Sequence, residues 1–506
     1  MLSESQLDIS NVNIVSKLDL IDNIDINTFK QDFAVLKEDK CALGIIYTPF
    51  SLVKRILDLI PNEKFENPRY KWLDMGAGTG YFSICLFDRL NRGLSSIFPD
   101  FLERKAHIIE NMLYMSEIKA SHVVILKRIF GEKAMIFGDF LSIRENNSIK
   151  FDYFDFFDFI IGNPPYNCGE IKTPTNTAIS KKEGVSIWSR FIKYGFNELL
   201  RENGFICAIV PSIWMKPDKA GIYQLLTSHK ILALHTLTNT ETNKIFNYQA
   251  QTPTCYFLSK KSERIDENIR IFDKYSDSYV NYKVDMWTTS RPIPLHGISI
   301  INRLGIYVKK YGYLKVTKTS CPSSKCSFSL EKTKSNLYKN IKTCLLTKLQ
   351  PILSVEWSNI PLVGNGTQKL VLAHKMYGFP FLDISGNFGI SSRDNYIIKG
   401  RGLMEGSLEG SMGYSLDELR FLRAFLSTKF ALFIYSTTAY RMKYLEKYAF
   451  ELIPDICKIP FWREKIDKIH YSGIENGLDE LIYDFFEVTT TEREIIEKMH
   501  KSYLLI

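Results

Sequence analysis

The 506-residue sequence predicts an α/β fold: a Rossmann-like, doubly wound sheet over residues 41–265, followed by an α+β region over 266–506. Three observations predict it. Strand-like and helix-like stretches alternate between about 70 and 260, as βα units do. A strand-like run ending at Asp74 opens into glycines at alternate positions and then an apolar helix. Beyond 265 the alternation loosens into short strands, Gly and Asn turns and a lysine-rich stripe.

Residues 1–40 are acidic, with eight Asp and Glu against four Lys, and read as a helical arm. Gly44 to Phe50 then leads into a helix over Ser51 to Leu59, whose Leu52, Ile56 and Leu59 share a face. Pro49 and Ser51 mark its start, since a missing N–H costs nothing in the first turn. Tyr47, Thr48 and Pro49 are also placed to edge a small-molecule pocket, although helix capping alone would account for them.

Tyr70 to Phe82 has the form strand, Asp74, then Gly76, Gly78 and Gly80, then a helix from Tyr81. Glycines let backbone approach a ligand, and the free amides of a helix start can meet it. The stretch has neither the Gly-x-Gly-x-x-Gly spacing nor a Lys-Ser/Thr ending, so it is no phosphate cradle. An acidic residue before the glycines suits a cationic or hydroxyl-bearing ligand instead. After a helical excursion over 91–111, Met112 to Glu117 reads as a strand with an acid at its end, 37 residues past Gly80. Such an acid is placed to accept hydrogen bonds from ribose hydroxyls, with Glu110 as its rival. A helix over Ala120 to Ile129 and a strand over Ala134 to Phe137 follow, ending in Gly138-Asp139-Phe140. Asp139 and Phe140 could hold an adenine by its amino group and its face.

The aromatic run Phe151 to Asp158 delivers a strand into Gly162-Asn163-Pro164-Pro165-Tyr166. Two prolines deny the backbone donors and keep it extended, so the strand ends in a stiff polar loop where open sheets bind ligands. An amide oxygen and a backbone carbonyl can accept both hydrogens of an amino group, and a phenol ring can stack on a base. A polar loop over 167–184, a helix over Val185 to Leu200, a buried strand over Gly204 to Pro211 and strands near 233 and 254–258 complete the sheet. Further on, Leu370 to Lys375 and Phe381 to Ile390 suggest hairpins, and Leu416 to Ile434 and Asp479 to Phe486 suggest helices.

Composition narrows the class. Hydrophobic residues make up 45% and charged residues 24%, and no apolar run reaches the roughly 18 residues of a membrane helix, so a soluble, cytoplasmic protein is expected. Nine scattered cysteines fit reduced thiols, with no spacing that points to zinc. The net charge of +9 comes wholly from the second half, and residues 301–350 carry eleven basic residues against Glu331 alone. There Tyr307, Tyr311 and Tyr313 interleave with Lys309, Lys310, Lys315 and Lys318, a mixture suited to a phosphate backbone.

Taken jointly and in this order, Gly44 to Pro49, Asp74 to Gly80 and Asn163 to Tyr166 resemble the gamma-type adenine-specific DNA methyltransferases of type II restriction-modification systems, over roughly 40–460. The resemblance implies a methyltransferase domain over 41–265 and a DNA target-recognition domain over 266–506. It implies S-adenosylmethionine held by Tyr47, Thr48, Pro49, Asp74, Gly76, Gly78, Glu117, Asp139 and Phe140. It implies that Asn163 and the Pro164 carbonyl grip the amino group of a flipped-out adenine, Tyr166 stacks on its ring, and Phe246 supplies a second aromatic wall. Lys309, Lys310, Lys315 and Lys318 would meet the DNA backbone. Duplex DNA is the expected partner, a separately encoded restriction endonuclease is left open, and a monomer is expected. RNA and protein-glutamine methyltransferases also use Asn-Pro-Pro-Tyr and form the alternative.

Overall fold

The computed structural model describes residues 46–145, 157–166, 187–250, 252–263, 268–284, 291–345, 352–374, 380–401, 413–441, 444–466 and 477–504. The acidic arm, Gly44 and the whole of 167–186, including the polar stretch after Tyr166, lie outside them, as do Phe151 to Phe156. The chain divides into two compact units. One runs to Trp214 and resumes over Asp218–Arg270, and the other takes Met215–Pro217 and everything from Ile271.

In the first unit, helix α1 (Phe50–Leu57) precedes β1 (Trp72–Met75) and α2 (Tyr81–Gly93). Then come α3 (Phe101–His107), β2 (Leu113–Ser116), α4 (Ala120–Phe130), β3 (Met135–Phe137) and β4 (Phe157–Gly162). The last part holds α5 (Trp188–Tyr194), β5 (Leu200–Pro211), α6 (Ile222–Thr227), β6 (His229–Leu237), α7 (Asn239–Ile245) and β7 (Thr254–Glu263). These strands lie in the order β3-β2-β1-β4-β5-β7-β6. Pairing is parallel from β3 to β5, and β7 enters antiparallel to both β5 and β6. The order reverses at β1 and β4, so a crevice opens at their carboxyl ends.

What fixes the register there is a column of rings. Trp72 and Phe159 face each other across β1 and β4, as do Phe159 and Phe205 across β4 and β5. Their rings stack at 3.8 and 4.9 Å, and Phe65 extends the column over Trp72 at 5.2 Å. Trp72 and Phe159 are buried, and each contributes on the order of 2–3 kcal/mol by removal from water. A slip of one residue would turn the column to the opposite face.

The expected long helix over Val185 to Leu200 is shorter: α5 ends at Tyr194 and a widened turn, Gly195–Leu199, passes the chain into β5. Helix α7 escaped the sequence reading, although Thr238 and Glu241 form a capping box at its start.

The second unit contains two four-stranded sheets. One orders Thr317–Lys318, Asn395–Lys399, Lys369–Ala373 and Phe381–Asp383, and the last two form an antiparallel pair as the sequence suggested. The other orders Phe328–Ser329, Ile352–Ser358, Tyr338–Leu345 and Gly389–Ile390. Lys369 and Asp383 form a buried ion pair at 2.5 Å, and the same ammonium donates to the Gly364 and Thr367 carbonyls. Burial of a charge is tolerable only with such full hydrogen bonding. The single helix expected over Leu416 to Ile434 is two, Leu416–Phe425 and Lys429–Ser436. Thr428 breaks it, because its hydroxyl accepts from the Ala431 N–H and starts a new helix.

Replacing Phe159 with Ala removes the centre of the ring column. Urea unfolding should show a loss of about 3–5 kcal/mol, and a loss below about 1 kcal/mol would mean that the column does not hold the strands.

Candidate active site

Residues from six segments meet at the carboxyl ends of β1 to β4 around one cavity of about 330 Å³. Each wall has a local cause. After β1, Gly76, Gly78 and Gly80 all take positive φ (108°, 56° and 95°), and the Ala77 N–H ties the loop to the Ser116 carbonyl at 2.9 Å. A Cβ on Gly76 would meet no atom within 4 Å, so bare backbone faces open space there.

At the end of β2 the Glu117 carboxylate accepts the Gly78 N–H through Oε2 and the Lys119 N–H through Oε1, both at 2.8 Å. This acid lines the cavity, whereas its rival Glu110 pairs with Lys133 instead. The Ser116 hydroxyl donates to the Gly138 carbonyl at 2.7 Å and so binds the end of β3 to that of β2. Asp139 caps the following turn by accepting the Leu141 N–H, and Phe140 stacks on Phe191 at 4.9 Å.

Strand β4 is buried along its length and ends at Gly162 with φ 139°. A Cβ there would stand 3.0 Å from Asp74 Oδ1 and 3.3 Å from the Met75 nitrogen, so only glycine lets β4 end this close to β1. Next to it, Asn163 donates through Nδ2 to the Thr48 hydroxyl at 3.0 Å and to the Ile46 carbonyl at 3.4 Å. Both of those partners are acceptors for the amide nitrogen, so the amide oxygen points elsewhere. It is buried and has no hydrogen-bond partner among the described residues. Tyr166 presents a buried hydroxyl with no partner among the described residues, and burial pushes its pKa above the usual phenol range, so it stays protonated.

Tyr47, Thr48, Gly76, Gly78, Glu117, Asp139, Phe140, Asn163, Pro164, Pro165 and Tyr166 thus line one cavity. Three residues singled out from sequence do not. Pro49 faces the helix it begins, its carbonyl accepting from Leu52 and Val53. Asp74 lies beneath the wall, fully buried, with Ser83 donating to Oδ2 at 2.7 Å and Oδ1 unpartnered among the described residues. Phe246 closes α7 and is 3% exposed within the hydrophobic core, because the apolar end of that helix packs inward. The sequence reading also missed residues on or behind the wall. Arg190 and Phe191 line it from α5, 24 and 25 residues past Tyr166, and His122 stands behind it in α4. A single His in a mixed helix carries no signal of its own.

In the second unit Lys309 and Lys310 lie exposed in the last turn of the helix Ile298–Tyr311, where the helix dipole favours cations. Lys315 and Lys318 are exposed as well, with Lys318 over the Tyr396 ring at 5.7 Å. Lys332 and Lys339 add a second such group over Trp357, at 5.7 and 5.9 Å.

Residues 102–246 match the family described as Eco57I restriction-modification methylase. Over that stretch the chain is similar to restriction-modification methylases. It is 39% identical over 72 residues to an uncharacterised adenine-specific methylase of Mycoplasma pneumoniae, covering 14% of this chain and 17% of that protein. It is 28% identical to the type II restriction enzyme and methyltransferase RM.Eco57I of Escherichia coli, covering 45% of this chain and 29% of that one. The chain therefore spans less than a third of the length of either curated relative. Among solved structures, a nuclease-deletion mutant of the Type ISP restriction-modification enzyme LlaGI aligns with 81% of this chain and 45% of its own, at 14% identity and a TM-score of 0.45. The resemblance to restriction-modification methylases drawn from the motifs is borne out by the family and relatives matched, and no helix among the described residues is long and apolar enough to cross a membrane.

Burial raises the Asp74 pKa from 3.8 to about 7, against the opposing hydrogen bond from Ser83. An acid raised on folding stabilises fully below its unfolded pKa and loses that stability as pH rises through the folded value. Relative to Asp74→Asn, the wild type should lose on the order of a few kcal/mol between pH 4 and 7 and then level off. Urea midpoints of both proteins across that range check this, and parallel curves would contradict it.

Proposed function

We propose that this chain is an S-adenosylmethionine-dependent DNA methyltransferase that methylates the exocyclic N6 of an adenine drawn out of the duplex. The observation that carries the reading is the Asn163 side-chain oxygen, a buried acceptor with no partner among the described residues, on a residue that lines the cavity together with Tyr166 and the glycine loop. An unpaired buried acceptor costs about 1–3 kcal/mol, which a ligand donor would recover.

The residues fit the cofactor. Backbone at Gly76 leaves room for close approach, Glu117 and Asp139 are acceptors for hydroxyl and amino groups, and Phe140 offers an apolar contact. Gly78, Tyr47 and Asp139 would hold its nucleoside half together with Glu117, and Asp74 beneath the wall, its pKa raised to about 7, would supply negative charge toward its cationic part only above that pH. When bound, S-adenosylmethionine supplies an electrophilic methyl group on a positively charged sulfur.

The protein's part is position. A base inside a duplex cannot reach this cavity, so the adenine must leave the stack at a cost of a few kcal/mol. Its amino nitrogen is a weak nucleophile because the lone pair is delocalised into the ring. The Asn163 oxygen and the Pro164 carbonyl accept its two hydrogens and so favour a pyramidal nitrogen with the lone pair free for attack. Tyr166 holds the ring by its face. With its phenol protonated, Tyr166 removes no proton, and the amino group needs no general base before attack. The exposed Lys309, Lys310, Lys315, Lys318 and Lys332 and the half-buried Lys339, with Lys310, Lys318, Lys332 and Lys339 over aromatic rings, suit the phosphate backbone of the substrate.

Transfer of labelled methyl to duplex DNA, to RNA and to a glutamine-bearing peptide tests the reading. Label should enter N6 of adenine in DNA, and Asn163→Ala should lower transfer by at least about 10²-fold while cofactor affinity changes little. Label in RNA or peptide alone, or undiminished turnover by the variant, would contradict it.

A further inference from the structure

His122 lies in α4, is 4% exposed and does not itself line the cavity. Its ring stands behind two residues that do. Nε2 is 3.3 Å from the Tyr47 hydroxyl, and Nδ1 is 3.6 Å from Glu117 Oε1. Those two residues come from separate segments, one before α1 and one after β2, and no neighbour in sequence relates them. Gly78 sits between them: its N–H donates to Glu117, and a Cβ on it would stand 3.6 Å from the Tyr47 ring. The His122 ring thus touches both sides of the wall that the glycine loop completes.

We propose that His122 is a positioning residue that sets Tyr47 and Glu117 as one unit to receive the nucleoside half of the cofactor. The inference rests on the reading that this cavity takes S-adenosylmethionine. Its chemistry follows from the two faces of the imidazole. A lone pair at Nδ1 would face the Glu117 carboxylate and be repelled, whereas a proton there is attracted. Nδ1 therefore carries the proton, and Nε2 keeps its lone pair and accepts the Tyr47 O–H. Tyr47 is fixed as a donor toward the interior, and the Nδ1 proton faces Glu117 as an electrostatic neighbour at 3.6 Å, while the hydrogen bonds that hold the carboxylate come from the Gly78 and Lys119 N–H groups. A histidine that merely filled the core would be replaced by a ring of similar size without effect on binding.

Calorimetric titration of the purified chain with S-adenosylmethionine, in the absence of DNA, separates these roles. His122→Phe keeps the volume and removes both polar atoms, and it should weaken binding about ten-fold or more. His122→Gln returns a polar atom near the Nε2 position and should restore binding to within about three-fold. In steady state the Phe variant should raise the cofactor KM while kcat at saturating cofactor and the KM for DNA stay as in wild type. Tyr47→Phe combined with His122→Phe should be no weaker than the worse single variant, because both remove the same contact. If His122→Phe does not fold, His122→Asn, too short to reach Tyr47, takes its place in that cycle. Binding by His122→Phe within two-fold of wild type, or strictly additive losses in the cycle, would overturn the proposal. Failure of the wild type itself to bind the cofactor would overturn the reading beneath it as well.

Discussion

Everything the cavity can do depends on which way one amide faces. Asn163 could present either its oxygen or its nitrogen to a ligand, and the two have opposite hydrogen-bonding character. The Thr48 hydroxyl and the Ile46 carbonyl, more than a hundred residues earlier, decide the matter by accepting from Nδ2. With the nitrogen engaged, the oxygen is left as the buried acceptor, and the site is selective for a donor. An amino group is such a donor, whereas a carbonyl at the same place would meet only repulsion.

That arrangement requires the loop to stand where the upstream segment can reach it, and the sheet supplies the position. The stacked rings of Trp72, Phe159 and Phe205 lock β1, β4 and β5 in register, so Gly162 arrives level with Met75. A side chain at Gly162 would collide with Asp74 and push β4 away from the glycine loop. The cavity is therefore a consequence of two strands ending unusually close together. Asp74 bears the cost as a carboxyl whose pKa is driven to about 7.

Much of this was legible in the sequence because the informative residues are ones whose backbone behaviour is nearly forced. Gly76, Gly78 and Gly80 announced a loop that a side chain would block, and Asn163-Pro164-Pro165-Tyr166 announced a stiff strand end. The alternation of βα units gave the sheet, although not the antiparallel entry of β7, which rests on pairings far apart in the chain. What stayed hidden were relations across distance. Thr48 read as a ligand contact and does line the cavity, but that its hydroxyl also accepts from Asn163 was not legible. Phe246 read as an aromatic wall, but whether a ring faces a cavity or a core depends on the helix that carries it. The same limit hid His122, whose two neighbours are 75 and 5 residues away.

The central claim is that Thr48 holds the amino-group acceptor in place, and replacing it with valine tests this most directly. Thr48→Val keeps the shape and removes the acceptor that holds Asn163 Nδ2. Measured side by side on duplex DNA, kcat should fall by about 10²-fold while the dissociation constant for S-adenosylmethionine stays within a factor of about two. Unchanged kcat with weakened cofactor binding would contradict the account.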